Sequence, residues 1–121
     1  MITRLEPELH EKGWGHEVWL VNSPLYCAKL LHFNKGAKFS SHYHLKKCET
    51  WYILEGELTL THYDLTSADT LSWSLKPGDV IDVPSGEPHQ LCAVEESTII
   101  EVSTQHDEAD SYRIGKGDSQ K

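Results

Sequence analysis

The sequence predicts an all-β domain, either a sandwich or a small barrel, and three observations support this. Short segments rich in β-branched and aromatic residues recur along the chain, and several alternate apolar with polar residues as half-buried strands do. Turn-forming runs such as Lys76-Pro77-Gly78-Asp79 separate these segments. Beyond the first dozen residues, no segment repeats its apolar residues at the helical period. The predicted strands are residues 17–22, 25–33, 49–54, 57–63, 70–75, 79–83, 89–94 and 98–103.

The length predicts a single domain. The chain has 121 residues and a mass of 13.8 kDa, which suits one hydrophobic core and leaves little room for two. We expect an N-terminal arm over residues 1–13, the β-domain over residues 14–104 and a polar C-terminal segment over residues 105–121. The last residues, from about 115 onward, are predicted to fray because they are small and polar.

The charge balance excludes several classes of partner. Lys and Arg total 11 against 19 Asp and Glu, so the formal charge is −8. Binding to nucleic acid or to an anionic membrane surface needs a basic face, which this composition does not favour. No apolar run approaches the ~20 residues that span a bilayer. We therefore expect neither a nucleic-acid partner nor a membrane partner.

The cysteines and the start of the chain predict a cytoplasmic location. Cys27, Cys48 and Cys92 form an odd set without a Cys-x-x-Cys pair, so a disulfide framework is not expected. The first residues are too acidic and too interrupted to resemble a secretory signal. Cys92 lies between apolar neighbours and is interpreted as a buried, inert thiol.

Histidines and one carboxylate are spaced as metal ligands. His42 and His44 lie two residues apart, so on a strand they point to the same side while Tyr43 points to the other. Glu49 opens the next predicted strand, and His89 follows a Pro/Gly turn forty residues later. Three imidazoles and a carboxylate suit one divalent ion of Zn, Fe, Mn, Ni or Co and leave coordination positions for substrate or water.

The same spacing resembles the two sequence motifs of the cupin superfamily. The first motif, Gly-x5-His-x-His-x4-Glu-x6-Gly, is complete from Gly36 to Gly56. The second, Gly-x5-Pro-x-Gly-x2-His-x3-Asn, is met from Gly78 to His89, with Ala93 in place of the final Asn. The resemblance implies a double-stranded β-helix, the cupin jelly-roll barrel, with the metal ion held inside by His42, His44, Glu49 and His89.

Three further segments resemble the cupin domain of type II mannose-6-phosphate isomerases. They are the opening Lys12-Gly13-Trp14-Gly15, the Glu49-Thr50-Trp51 run, and residues 100–104 followed by 107–113. The chain departs from that pattern at His42, where the isomerases have Gln, at Lys47, where they have Arg, and in lacking their closing Asp-x-Tyr-Gly-Arg. The resemblance therefore implies a sugar or sugar-phosphate substrate rather than mannose 6-phosphate in particular.

An isomerase of this kind needs a Lewis acid and a base that removes a carbon-bound proton. Glu101, in the segment that resembles the isomerases, is the predicted base, and Lys47 is the second predicted catalytic residue. Trp51 shares strand parity with Glu49 and is predicted to contact substrate, with a core aromatic as the alternative. The cations predicted to meet a phosphate are Lys29, Lys38, Lys47 and Arg113, the alternative being that most of them are simply solvated.

Two other functions remain open. The same ligands serve non-haem Fe(II) dioxygenases, and a cupin with few phosphate-binding cations could be a non-catalytic metal- or sugar-binding module. Every alternative has a small molecule as its partner. A homodimer is also predicted, because residues 14–22 carry aromatics expected on an exposed outer strand.

Overall fold

The computed structural model describes all 121 residues, which form eleven β-strands and two short 3₁₀ helices. The helices are Glu108–Asp110 and Asp118–Gln120. The strands are β1 (Glu8–Lys12), β2 (Gly15–Asn22), β3 (Cys27–Phe33), β4 (Ser41–Tyr43), β5 (Glu49–Glu55), β6 (Leu58–Tyr63), β7 (Thr70–Leu75), β8 (Val80–Val83), β9 (His89–Ala93), β10 (Ser97–Ser103) and β11 (Tyr112–Gly115). No helix is long and apolar enough to cross a membrane.

The strands form two antiparallel sheets that face each other. One sheet has the order β1-β2-β3-β10-β5-β8, and the other has the order β11-β4-β9-β6-β7. Chain neighbours are often on different sheets, as in a jelly roll, where the chain alternates between two layers. The predicted all-β jelly roll is confirmed.

The core lies between the sheets and follows from period-two alternation. In β3, every second residue from Cys27 to Phe33 is buried, and the residues between them are partly exposed. The opening aromatic Trp14 is also in this core: it is 3% exposed and stacks on Phe33 with ring centroids 4.4 Å apart. Trp14 therefore does not provide the exposed aromatic surface on which the dimer prediction was based.

Part of the predicted N-terminal arm is a strand. β1 pairs antiparallel with β2, from Glu8 opposite Trp19 to Lys12 opposite Gly15. The sequence of β1 has no apolar alternation, so its pairing rests on main-chain hydrogen bonds and on the stacking of His10 on Trp19 at 3.9 Å. This strand gives the six-stranded sheet its outer edge.

The C-terminal end is attached to the barrel, which corrects the expectation that it frays. The Lys38 amide donates to the Asp118 carboxylate at 2.8 Å, and the Asp118 amide donates to the Lys38 carbonyl at 2.9 Å. The approach is close because residue 117 is glycine: a Cβ there would lie 2.3 Å from the carbonyl carbon of Phe39. Residues 117–120, hereafter the terminal turn, thus cover one side of the barrel opening.

Candidate metal centre

Neighbouring strands of the five-stranded sheet bring the histidines together. β4 carries His42 and leads into His44, and His89 opens β9, where it lies directly opposite His42. One ring nitrogen from each histidine lies within 4.8 Å of the others. Tyr43 points to the other face and stacks on Tyr112, as its parity predicts. Three of the four predicted ligands therefore converge as a candidate metal site.

Each of these histidines is oriented by a main-chain carbonyl. A carbonyl oxygen only accepts hydrogen bonds, so the Nδ1 atom facing it carries the proton and Nε2 keeps its lone pair. That arrangement is typical of metal-binding histidines, whose second nitrogen is fixed by a hydrogen bond. The acceptors are Ser40 for His42 at 2.7 Å, Asp110 for His44 at 2.7 Å and Glu87 for His89 at 2.8 Å.

Burial keeps the three imidazoles neutral. It lowers the pKa of His42 to about 3, aided by the neighbouring His89 and His44, and it lowers the pKa of His89 to about 4. It also lowers the pKa of His44. Neutral imidazole is the form that binds a cation, so the site is in its ligating state at neutral pH.

Glu49 lies at the edge of the histidine cluster with one oxygen free. Its Oε1 accepts a hydrogen bond from the Trp51 indole at 2.6 Å, while Oε2 lies 3.7 Å from His44 Nε2 and has no hydrogen-bond partner. The Nε2 atom of His89 is likewise buried without a partner. Leaving such atoms unsatisfied is costly, and a divalent cation accepts lone pairs from both. The donor set therefore fits a metal ion with three nitrogens and one oxygen.

A buried ion pair lies beside the ligands. Lys47 Nζ is 2.8 Å from Glu101 Oε2 and 3.9 Å from Glu49 Oε2. Burial alone would lower the pKa of Lys47, but the two carboxylates raise it above its usual range. Burial would raise the pKa of Glu101, yet the ammonium groups of Lys47 and Lys29 lower it. The pair therefore stays charged, with Lys47 as an ammonium and Glu101 as a carboxylate.

The pKa of Glu49 is raised, whereas that of Glu101 is lowered. Burial and the nearby Glu101 carboxylate together raise the pKa of Glu49, which outweighs the attraction of Lys47. Two carboxylates this close do not both ionise readily without a compensating charge. A bound cation provides such a charge, which is a further reason that Glu49 suits a ligand position.

A polar cavity opens beside these groups. Of its 18 lining residues only three are hydrophobic, namely Trp14, Leu31 and Phe39. Its four cationic residues are Lys12, Lys29, Lys47 and Arg113, and its four carboxylates are Glu17, Glu49, Glu101 and Glu108. Hydroxyl and amide groups line it at Ser40, Ser111, Ser119 and Gln120, and the imidazoles of His42, His44 and His106 complete the lining. The cavity offers hydrogen-bond donors and acceptors in similar numbers.

Two cations of this cavity have no ion-pair partner. Lys29 is buried, lies 3.7 Å from a Glu17 oxygen and sits 4.2 Å over the ring of Trp19. Lys12 and Arg113, by contrast, have no carboxylate within 4 Å. These two are the cations left to meet an anionic group of a substrate.

Four of the six predicted catalytic and substrate-contacting residues line the cavity, and two do not. Glu101, Lys47, Lys29 and Arg113 line it. Trp51 is fully buried and contacts Glu49 from within the core, which agrees with the core alternative for this residue. Lys38 is exposed, lies outside the cavity and pairs through its backbone with Asp118 and Cys92. The structure therefore separates Trp51 and Lys38 from the place where a substrate would enter.

Several residues of the site, among them Asp110, His106 and Lys12, were not predicted from the sequence. Asp110 is 4% exposed and holds the loop after His44, while His106 lies 3.4 Å from Lys47 Nζ. Lys12 belongs to the opening run that resembles the isomerases, and Asp110 belongs to their closing run. The resemblance of these two runs to the isomerases was therefore the sequence signal that could have identified Lys12 and Asp110.

The comparison with protein families decides the identity. The Cupin domain family matches residues 29–104. The chain belongs to the cupin family. No curated protein gave a sequence match to it.

Solved structures with the same fold include larger proteins. The capsular polysaccharide assembling protein CapF from Staphylococcus aureus superposes with a TM-score of 0.80 at 14% identity, over 93% of this chain and 32% of that one. Oxalate decarboxylase from Bacillus subtilis superposes with a TM-score of 0.80 at 20% identity, over 90% of this chain and 30% of that one. This cupin thus spans about a third of each protein, and at these identities the likeness shows the fold alone.

Proposed function

We propose that this cupin is a metal-dependent isomerase of a sugar or sugar phosphate, as the resemblance to the cupin domain of type II mannose-6-phosphate isomerases implies. The observation that carries the proposal is the polar cavity, in which a Lys47–Glu101 ion pair lies next to the histidine cluster. A polyol presents both donors and acceptors, which suits a cavity with only three hydrophobic residues among 18. One fold neighbour is by its name a capsular polysaccharide assembling protein, and this agrees with a sugar-related role.

Aldose–ketose isomerisation moves one proton between neighbouring carbons. A base removes the proton from C2 of the aldose, an enediol forms, and the same base delivers the proton to C1 while a hydroxyl proton passes from O2 to O1. Nothing is oxidised or reduced overall, so no further reactant is needed. A divalent ion on His42, His44, Glu49 and His89 would polarise the carbonyl and the adjacent hydroxyl.

Glu101 and Lys47 would divide the proton transfer. Because the pKa of Glu101 is lowered, it is available as a carboxylate that accepts the carbon-bound proton. Because the pKa of Lys47 is raised, it stays cationic and would stabilise negative charge on the substrate oxygens. Their hydrogen bond at 2.8 Å fixes the orientation of the base.

A phosphate would bind at the two cations without ion-pair partners. Lys12 and Arg113 line the cavity, and Arg113 can bind phosphate with two parallel hydrogen bonds. Replacing both with Met should weaken turnover of a sugar 6-phosphate by about tenfold or more while leaving the unphosphorylated sugar unchanged. Equal losses on both substrates would assign the chain an unphosphorylated sugar.

The central experiment is exchange of deuterium from D2O into carbon 2 of aldoses, ketoses and their 6-phosphates, with each of the five metals. Glu101→Gln should keep the metal and lower exchange by about 10²–10⁴-fold. Glu49→Gln should lose both metal and exchange. The control is Glu96→Gln, an exposed carboxylate outside the cavity.

Two results of the exchange experiment would contradict the isomerase proposal. No exchange with any panel member, together with oxygen consumption when Fe(II) is present, would move the chain to the dioxygenase alternative. Sugar binding without exchange and without a metal requirement would make it a binding module.

A further inference from the structure

A second cavity opens at the side of the barrel, between the edges of the two sheets. β8 ends the six-stranded sheet and β7 ends the five-stranded one. The cavity is lined from these strands, from β6 and from the start of β9. We call it the lateral cavity, and its nine lining residues are Leu60, His62, Trp73, Ile81, Asp82, Val83, Pro84, Glu87 and His89.

The lateral cavity is distinct from the polar cavity. His42, His44 and Glu49 line the polar cavity, whereas His89 lines only the lateral one. No residue lines both. The His89 ring, with Nε2 directed at the other ligands and Nδ1 bonded to a carbonyl, thus forms part of the partition between them.

Two lining residues of the lateral cavity, His62 and His89, each have a buried Nε2 atom without a hydrogen-bond partner, and that of His89 belongs to the candidate metal site. His62 Nε2 is buried and makes no hydrogen bond, and the rings of His62 and Trp73 form a T-shaped pair with centroids 4.8 Å apart. An unsatisfied buried nitrogen is costly, so a ligand that hydrogen-bonds to His62 Nε2 would gain affinity from that contact. The surrounding walls, from Leu60, Ile81 and Val83, are apolar and suit the body of such a ligand.

The charges around the lateral cavity are all negative. Asp82 and Glu87 line it, and no Lys or Arg does. A cation is attracted by these carboxylates and by the face of Trp73, and an anion is repelled by the carboxylates. The whole chain also carries a formal charge of −8.

We propose that the lateral cavity is a binding site for a small hydrophobic amine. The apolar body of the amine packs against Leu60, Ile81 and Val83, and its ammonium group lies near the two carboxylates and donates a hydrogen bond to His62 Nε2. This binding does not require the proposed isomerase activity, and of the lining residues only His89 is also a predicted metal ligand.

Three probes of the same shape test the proposal: benzylamine, benzyl alcohol and benzoate. Each is titrated into the full chain and followed by NMR at the Trp73 indole and the His62 ring. Benzylamine should bind most tightly, and benzoate should not shift these signals. Benzoate binding as tightly as benzylamine, or shifts that map elsewhere, would overturn the proposal.

Variants separate the contributions. Asp82→Asn with Glu87→Gln should reduce the preference for benzylamine over benzyl alcohol by about fivefold, the factor expected for a partly exposed ion pair. His62→Phe should weaken benzylamine by about tenfold. The matched control is Asp69→Asn, an exposed carboxylate outside the cavity, which should change nothing. Asp82 is exposed and Glu87 is half-buried, so the variant of these two residues should fold and remains decisive if His62→Phe does not. An unchanged preference for benzylamine in that variant would refute the site.

Discussion

His44 donates a hydrogen bond from Nδ1 to the main-chain carbonyl of Asp110, at 2.7 Å. The carboxylate of the same aspartate accepts hydrogen bonds from three consecutive amides of the loop after His44, at 2.9–3.2 Å. These amides belong to Leu45, Lys46 and Lys47. One buried residue, Asp110, therefore positions both a candidate metal ligand and the cation of the ion pair.

Removing the charge of this aspartate should loosen the loop. Asp110→Asn keeps the size of the side chain but weakens hydrogen bonds that a carboxylate makes strongly. We expect the free energy of unfolding to fall by about 1–3 kcal/mol and metal affinity to fall with it. Urea unfolding and metal titration measure the two effects. Asp107→Asn is the control, since Asn also caps a helix well and Asp107 caps a single amide; equal effects in both variants would contradict the prediction.

Trp51 should influence the metal without touching it. Trp51→Phe removes the indole hydrogen bond to Glu49 Oε1 but keeps an aromatic ring in the core. Because such outer hydrogen bonds orient a ligand, metal affinity should fall by about 10–100-fold. Competition with a chelator measures it. In the control, Trp19→Phe removes a similar bond to Glu17 and should leave metal affinity unchanged; the same affinity for both variants would refute the role of Trp51.

The parts of the fold that the sequence predicts are those with a hydrophobic pattern. β3 and β5 alternate clearly, so their position and inward faces follow from period two. β1 has no such pattern, since backbone pairing and side-chain stacking hold it in place without an apolar face. β11 has only four residues, which is too short to show one. The docked end was missed for a similar reason: its attachment depends on close backbone approach at Gly117, which composition does not reveal.

The candidate site divides in the same way. The two-residue spacing of His42 and His44 predicts that their side chains point the same way. Only the cupin motif predicts that His89 lies next to them, as it does opposite His42. Lys38 is exposed and lies outside the polar cavity, which agrees with the alternative of a solvated lysine, because the charge of a residue does not reveal the direction of its side chain. Asp110 was missed because a buried carboxylate that binds backbone amides has no sequence signature of its own.

The metal-free protein should lose stability in mild acid. Burial lowers the pKa of His42 to about 3, whereas an unfolded histidine titrates near 6.5. Between these values the unfolded state binds the extra proton, so the free energy of unfolding decreases as pH falls from about 6.5, by about 1.4 kcal/mol per pH unit for each such histidine. Urea unfolding between pH 6.5 and 5 should give a shallower slope for His42→Gln than for the parent. Identical slopes would show that His42 is not buried as a neutral base.

Displacing the terminal turn, residues 117–120, should open the polar cavity. Gly117→Ala places a Cβ 2.3 Å from backbone atoms of Phe39 and Ser40, so residues 117–120 must move away. Ser119 and Gln120 then leave the cavity lining. Hydrogen exchange at the Lys38 amide, now bonded to Asp118, should accelerate by about tenfold or more. Lys116→Ala, an exposed neighbour, is the control, and unchanged exchange in Gly117→Ala would contradict the prediction.

We predict that the homodimer forms through the outer face of the larger sheet. A row of apolar side chains crosses five strands there, and two of its members, Tyr52 and Val80, are 42% and 64% exposed. The full row is Val18, Leu30, Ile100, Tyr52 and Val80. Light scattering should give a dimer for the parent and the 13.8 kDa monomer for Tyr52→Glu with Val80→Glu. Leu71→Glu, an exposed apolar residue on the other sheet, should stay dimeric; a monomeric parent at micromolar concentration would refute the dimer.

The joint between β4 and β9 rests on a single residue pair, His42 opposite His89. Both members of that pair are also predicted ligands, so a cation held between them would cross-link the two strands that share the fewest paired residues. Metal binding should therefore stabilise the β4–β9 pairing more than any other strand pairing, and removal of the metal should let β4 separate from β9 first. Metal binding at this site would then stabilise the fold in addition to supporting catalysis.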